Sequence, residues 1–327
     1  MNTNLTEFSG RCAAGYNFAG GNANAGDDHG HGTAVAGVIC ANVNNAHQVA
    51  GVDWHCRLLP VKVLDANNSG LYSWWAQGID YAVSRGAKVI NLSAGGSSAN
   101  STLTRAITNA IARGVIFVTI THNHGAGTIT FPGNLADSIT VGATDRSDQR
   151  TPFSNYGPQI DLVAPGTNIA TVGRAGGLQY WWGTSFAAPQ VAGVCALLCA
   201  VNPTLNQRQA RSLLCLGAED RVGGTNDAPG FDNYYGWGRL NAYNSVALAQ
   251  TKIDHASVAN GALVLSWPNL SNASNRQPFR VEYQPLGGTN WYPCAATFSY
   301  STNRTWWTNA NLREVRGACY RLRLREN

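Results

Sequence analysis

Two stretches of the chain, residues 33–41 and 185–201, consist almost entirely of small and aliphatic residues, the pattern of helices buried on every side. Shorter periodic runs lie between them. Residues 71–85 set Trp74, Trp75, Ile79, Ala82 and Val83 at helical spacing and stop at Gly86, and residues 101–113 form a second amphipathic helix stopped by Gly114. Residues 58–64, 88–92, 115–120, 139–144 and 160–163 are short apolar or β-branched runs that read as strands. Asn202-Pro203 ends the long apolar helix, and Thr204 is expected to cap the next one, which runs to about residue 215. Strands alternating with helices specify an α/β fold, a parallel β-sheet sandwiched between helices, with the site at the carboxyl ends of the strands.

The pattern changes after residue 250. Residues 262–267, 279–283, 291–296 and 319–324 alternate or run apolar over short lengths, with Gly, Pro and Asn between them, as in an all-β module. The expected division is 1–250 for the α/β domain and 251–327 for a small β domain. At 327 residues, 44% hydrophobic and 13% charged, the chain has enough apolar surface for both.

The net charge of +5 has no block of like charge behind it, so a nucleic-acid partner is not expected. No run approaches the roughly 18 uninterrupted apolar residues of a membrane span, and the first residues are too polar for a signal peptide. The eight cysteines include no C-x-x-C pair, which argues against a zinc ribbon or a thioredoxin-like motif. An exported protein with disulfides is the expectation. The alternative for Cys40, Cys195 and Cys199, which fall on apolar helices, is that they are small buried residues.

Candidate chemistry sits at the starts of the two apolar helices. Gly183-Thr184-Ser185-Phe186-Ala187-Ala188-Pro189 places a serine at a helix N-terminus, where its hydroxyl is exposed and its own N–H is free for a developing oxyanion. Gly183 permits the tight turn, and Pro189 is expected early enough in the helix for its missing N–H to cost little. His29-Gly30-His31-Gly32-Thr33-Ala34-Val35-Ala36-Gly37 places a histidine in the same way. A Ser and a His presented across a cleft are what nucleophilic acyl transfer requires.

Together these stretches resemble the subtilisin-like serine proteases, with their H-G-T-x-V-A-G and G-T-S-x-A-x-P motifs. The resemblance runs from about Phe8 to Ala249 and includes Val61-Lys62-Val63-Leu64, Asp161-Leu162-Val163-Ala164-Pro165-Gly166 and Gly236-Trp237-Gly238-Arg239-Leu240-Asn241. It implies a serine endopeptidase acting on polypeptides through an acyl-enzyme, with Ser185 as nucleophile, His31 as base and Asn123 as oxyanion donor. It also implies that Ser93, Ala94, Gly95 and Gly96 form a wall of the substrate cleft, with His122 and Thr184 beside it. Ala94 stands where Leu is usual and suggests a roomier subsite. His122 stands where Gly is usual, which changes the primary specificity pocket.

No cofactor is required by this reading. In relatives the loop 42–48 can wrap a structural calcium, for which Asn44 and Asn45 are candidates, against an ordinary Asn-rich turn. The four residues His29, His31, His122 and His124 form two H-x-H pairs, and a zinc site is the competing reading of them.

The third triad residue of the family lies in an apolar strand ending D-[ST]-G, and no such segment occurs in this sequence. Residues 1–5 read like the segment just after it, so the expectation is a sequence that starts at an internal methionine or is a cut fragment, with a propeptide and signal peptide ahead of Met1 and a secreted product. Asp27 and Asp28 are expected to shape the loop and cap the helix, not to orient His31. The alternative function is a catalytically impaired, peptide-binding relative.

In the β module, Leu265-Ser266-Trp267 and Arg280-Val281-Glu282-Tyr283 resemble a small fibronectin type III domain. Trp291, Trp306 and Trp307 are candidates for stacking on a protein or polysaccharide, or for core packing, and Cys294 with Cys319 for a bridge.

Overall fold

A computed structural model of the chain describes residues 1–47, 49–251, 255–259, 262–268, 279–285, 289–294, 297–300, 304–309 and 318–324. The first half contains a 3-10 turn (Thr6–Phe8), β1 (Tyr16–Asn17), α1 (His31–Cys40), β2 (Val61–Lys62), α2 (Tyr72–Ser84), β3 (Val89–Leu92) and α3 (Ser101–Ala112). Then come β4 (Ile116–Ile120), β5 (Ile139–Thr144), β6 (Leu162–Pro165), β7 (Ile169–Val172), β8 (Leu178–Trp181), α4 (Thr184–Val201), α5 (Gln207–Gly217) and α6 (Ala242–Gln250).

Strands β3, β4, β5 and β6 form a parallel sheet in that order, with Val89 beside Ile116, Val118 beside Ile139 and Val141 beside Leu162. The pleat sends alternate residues to opposite faces. Ile116, Val118 and Ile120 join Val191, Leu198 and Leu214 under α4 and α5, whereas Phe117 joins Trp75, Ile79, Leu103 and Ile107 under α2 and α3. This is the expected three-layer α/β sandwich. Helix α4 has 18 residues and a mean hydropathy of 1.7, enough by length and composition to cross a membrane, but it runs through this core.

The sequence reading needs several corrections. Of the strand expected over 58–64, Val61–Lys62 pairs with β1 in a separate two-stranded parallel sheet, and Leu58 makes an isolated parallel bridge with Cys12. Helix α5 is capped by Asn206 in a full capping box with Gln209, while Thr204 turns back onto Asn202 Oδ1. The hairpin β7–β8 and helix α6 were not expected; α6 is capped by Asn241, whose side chain accepts from Asn244 N–H.

Helix α1 lies close against β7. A Cβ at Gly37 would stand 2.4 Å from Thr171 Oγ1 and 2.8 Å from Val172 Cγ1, and Thr171 Oγ1 already donates to Ala34 O at 2.7 Å. Gly37→Val is therefore expected to cost about 1–3 kcal/mol as α1 is forced off β7. A urea melt with a lower midpoint and an unchanged slope checks it; an unshifted midpoint would contradict the close contact.

The C-terminal strands are β9 (His255–Ala259), β10 (Ala262–Pro268), β11 (Phe279–Pro285), β12 (Tyr292–Pro293), β13 (Thr297–Tyr300), β14 (Arg304–Asn309) and β15 (Ala318–Leu324). They form two antiparallel sheets, β13-β14-β10-β9 and β12-β11-β15. Leu263, Leu265, Trp267, Val281 and Trp307, drawn from both sheets, make one core. Trp307 is fully buried, so of the three tryptophans considered for partner contact it belongs to the core; burial alternates along its strand. Trp306 is half-buried, and Trp291 is half-buried under the Arg321 guanidinium, 4.2 Å from the ring centre. The expected Cys294–Cys319 bridge involves a side chain outside the described residues. Phe279 and Leu322 of this module pack against the core of the first.

Candidate active site

Ser185 is the second residue of α4, and only 9% of its surface is exposed. The chain enters the helix through Gly183 at φ 129°. Asn123, just beyond the end of β4, fixes this entry: its Oδ1 accepts from Thr184 N–H and from Thr184 Oγ1, both at 2.9 Å. With the oxygen so engaged, Nδ2 faces away from Thr184. A Cβ built on Gly183 would lie 3.3 Å from Asn123 Nδ2 and 3.7 Å from Ser185 N. Two hydrogen-bond donors thus border one space that a glycine keeps open, and neither donates to an acceptor among the described residues. Thr184, expected to touch substrate, is fully buried and uses its hydroxyl on Asn123.

Pro189 lies beyond the first turn of α4, contrary to expectation, and its missing N–H deprives Ser185 C=O of the usual helical donor. Ser93 Oγ takes that role, donating to Ser185 O at 3.0 Å, and Asn91 Nδ2 in turn donates to Ser93 Oγ at 3.0 Å. The stretch expected as a cleft wall is therefore tied to the candidate nucleophile. Gly96 N–H donates to Phe131 O at 2.8 Å and fastens its other end, while Ala94 packs toward the α2–α3 cluster.

His31 is the first residue of α1. Asp27 caps this helix: its carboxylate accepts from His29 N–H at 3.0 Å, Gly30 N–H at 2.7 Å and Thr33 N–H at 2.7 Å, and from the Thr33 hydroxyl. These bonds outweigh its burial and hold the carboxyl down at about 2. Asp28 pairs with Lys62 at 2.5 Å. Among the described residues neither carboxylate hydrogen-bonds the His31 ring; Asp27 has the capping role expected, whereas Asp28 does not cap the helix and is engaged by Lys62.

The ring packs edge-on against Phe186, the residue after Ser185, at 5.6 Å, and against Trp181 at 6.2 Å. It makes no hydrogen bond to Ser185 Oγ in this arrangement, a contact that often tightens only around substrate. Burial lowers the His31 pKa to about 4, with His29 adding to the effect and Asp27 opposing it. The imidazole is thus neutral at pH 7, as a base must be.

This shift gives a pH prediction. The acid limb of kcat/KM is expected near pH 4, not near the ordinary histidine value of about 6.5. Stability follows the same group. Above about pH 6.5 both states are neutral there; as pH falls toward 4 the unfolded chain takes up a proton that the folded ring refuses, so stability is lost across that window. Trp181→Ala, which opens the ring to water, should move the acid limb upward. A pH–rate profile with its limb near 6.5 in the unaltered chain would contradict the burial argument.

The two H-x-H pairs each pack within themselves: His29 and His31 at 6.4 Å, and His122 and His124 stacked at 4.4 Å. No group of three or more metal-binding side chains occurs among the described residues. In the loop expected as a calcium candidate, Asn44 takes a left-handed turn, and Asn45 Oδ1 accepts from His47 N–H while its Nδ2 donates to Glu7 Oε2. Glu7 was missed by the sequence reading because it lies far upstream in the 3-10 turn, and its carboxylate is 3% exposed beside this loop. Trp181 was missed as well, although the Tyr180-Trp181-Trp182 run directly before the serine motif was a signal for it.

The family model for the subtilase family matches residues 1–238. Alkaline elastase YaB of Bacillus sp. (strain YaB) is 41% identical over 204 residues, covering 62% of this chain and 54% of that protein. Subtilisin Savinase of Lederbergia lenta is 40% identical over 228 residues, covering 70% of this chain and 81% of the relative. The crystal structure of a cold-adapted subtilisin-like serine proteinase superposes with a TM-score of 0.65 at 34% identity, covering 74% of this chain and 83% of that one. The chain spans 54% to 58% of the length of several curated relatives, among them the elastase and M-protease of Shouchella clausii (strain KSM-K16). By its family match, its parallel sheet and these relatives, the chain belongs to the subtilase family.

Proposed function

We propose that the chain acts as a serine endopeptidase on polypeptides. Ser185 Oγ attacks the peptide carbonyl while His31 takes its proton, and the resulting oxyanion sits between Asn123 Nδ2 and Ser185 N–H. His31 then gives the proton to the departing amine, the C–N bond breaks, and water resolves the acyl-enzyme by the same route. The observation that carries this reading is the pair of unengaged donors around the Gly183 gap, next to a serine whose neighbour Phe186 packs against a histidine held neutral by burial. The test is to incubate the chain with an unfolded protein and sequence the products. New N-termini that are absent with Ser185→Ala support the reading, whereas identical products from both overturn it.

One observation favours a second reading, a peptide-binding protein with impaired catalysis: the His31 ring has no carboxylate partner among the described residues. In subtilisin, loss of the triad aspartate alone lowers kcat about 3 × 10⁴-fold. Micromolar peptide binding without cleavage would select this reading.

Export accompanies the first reading. A structural calcium beside the 42–47 loop would require Glu7 to be released, since its Oε2 accepts from Asn45 Nδ2 and its Oε1 lies 3.7 Å from His47 Nδ1. Cys40 and Cys56, whose side chains interact, are the pair that an oxidising compartment would join.

A further inference from the structure

His122 stands immediately before the candidate oxyanion donor in a left-handed conformation, φ 86°, that favours glycine. Its ring is turned toward the opposite wall: a Cβ on Gly95 would lie 2.9 Å from His122 Cδ2 and 3.3 Å from Thr130 Oγ1. Both His122 Nδ1 and Thr130 Oγ1 are buried without a hydrogen-bond partner among the described residues. On its outer side the ring is stacked on His124 at 4.4 Å.

The position of this ring matters because of what flanks Ser185. One flank is the segment from Ser93, which donates to Ser185 O, to Gly96; the other is the segment ending in Asn123, which holds Thr184. A substrate whose carbonyl oxygen lies between Asn123 Nδ2 and Ser185 N–H must place the side chain of that same residue between these two flanks. The His122 ring already fills the space between Gly95 and the second flank.

Resting on the endopeptidase reading, we propose that His122 closes the pocket for the residue contributing the cleaved carbonyl and restricts it to small side chains such as Ala and Gly. A bulky side chain has to displace a ring wedged between backbone and a stacked neighbour. A small one leaves it in place.

The test uses two peptide substrates that differ only at that residue, Ala or Phe, with the native chain and with His122→Gly. Glycine suits φ 86°, so this variant relieves backbone strain. The native chain is expected to favour Ala by about 100-fold in kcat/KM, within the range that pocket size can supply, and His122→Gly is expected to shrink that ratio at least about tenfold. Equal handling of Ala and Phe by the native chain overturns the proposal, as does a ratio unchanged by His122→Gly. If the native chain cleaves neither peptide, the endopeptidase reading has failed. The pocket is then decided by calorimetry on Ser185→Ala, with and without His122→Gly, using peptides that end in Ala or Phe. Preference for Ala that His122→Gly removes supports the proposal; no preference, or no binding of either, overturns it.

Discussion

Ser185→Ala is expected to reduce peptide hydrolysis by about 100-fold. The equivalent change in subtilisin costs about a million-fold, of which about 3 × 10⁴-fold is already forfeited where the base has no carboxylate partner, as is the case for His31 among the described residues. His31→Ala is expected to fall as far, and the double variant no further, because a nucleophile and its base act as one unit and their losses do not add. The geometry explains the dependence. The nearby carboxylates are engaged elsewhere: Asp27 is committed to four donors at the start of α1, and Asp28 to Lys62. Initial rates on a peptide anilide for the two single variants and the double variant check this. If the double variant lost the product of the two single losses, Ser185 and His31 would be acting independently and the mechanism would be wrong.

Asn123→Ala is expected to lower kcat by about 100- to 1,000-fold with little change in KM, since the amide donates only to charge that develops in the transition state. The size is that found for the oxyanion donor of subtilisin. Asn123 also orders the entry to α4 through Oδ1, so loss of that support is a competing cause. Asn123→Asp separates the two: it keeps an oxygen for Thr184 and replaces the donor by a negative charge. It should be at least as impaired as Ala while its melting temperature stays near that of the unaltered chain. An active Asp variant would remove Asn123 from the oxyanion site.

The parts of the fold that a single sequence made legible are those governed by local periodicity. Helices α1, α2, α3 and α4 follow from small-residue runs and helical spacing, and β4 and β5 from fully buried apolar runs. The parts that were not legible depend on distant contacts. Leu58 to Leu64 looked like a full strand, but its pairing is limited to Val61–Lys62 with β1 and an isolated bridge from Leu58 to Cys12. Thr204 has the chemistry of a cap and lost that place to Asn206, which has Gln209 at the right spacing for a reciprocal bond.

In the site, the serine and histidine motifs were readable because each is a short contiguous signal at a helix start. Ser93 filling the carbonyl left by Pro189, Thr184 holding Asn123, Trp181 against His31 and Glu7 beside the 42–47 loop each join residues far apart in sequence. The departure at His122 was visible as a residue type. That its ring lies against Gly95, which sets the shape of the pocket, required the coordinates.

The central claim is that Ser185 is a nucleophile activated in this cleft, and covalent labelling tests it most directly. The chain is treated with a fluorophosphonate probe, digested, and the modified peptide located by tandem mass spectrometry. One adduct on Ser185, lost in His31→Ala and slowed in Asn123→Ala, is the predicted result. No adduct on the full chain, or one on another serine that survives Ser185→Ala, would contradict it.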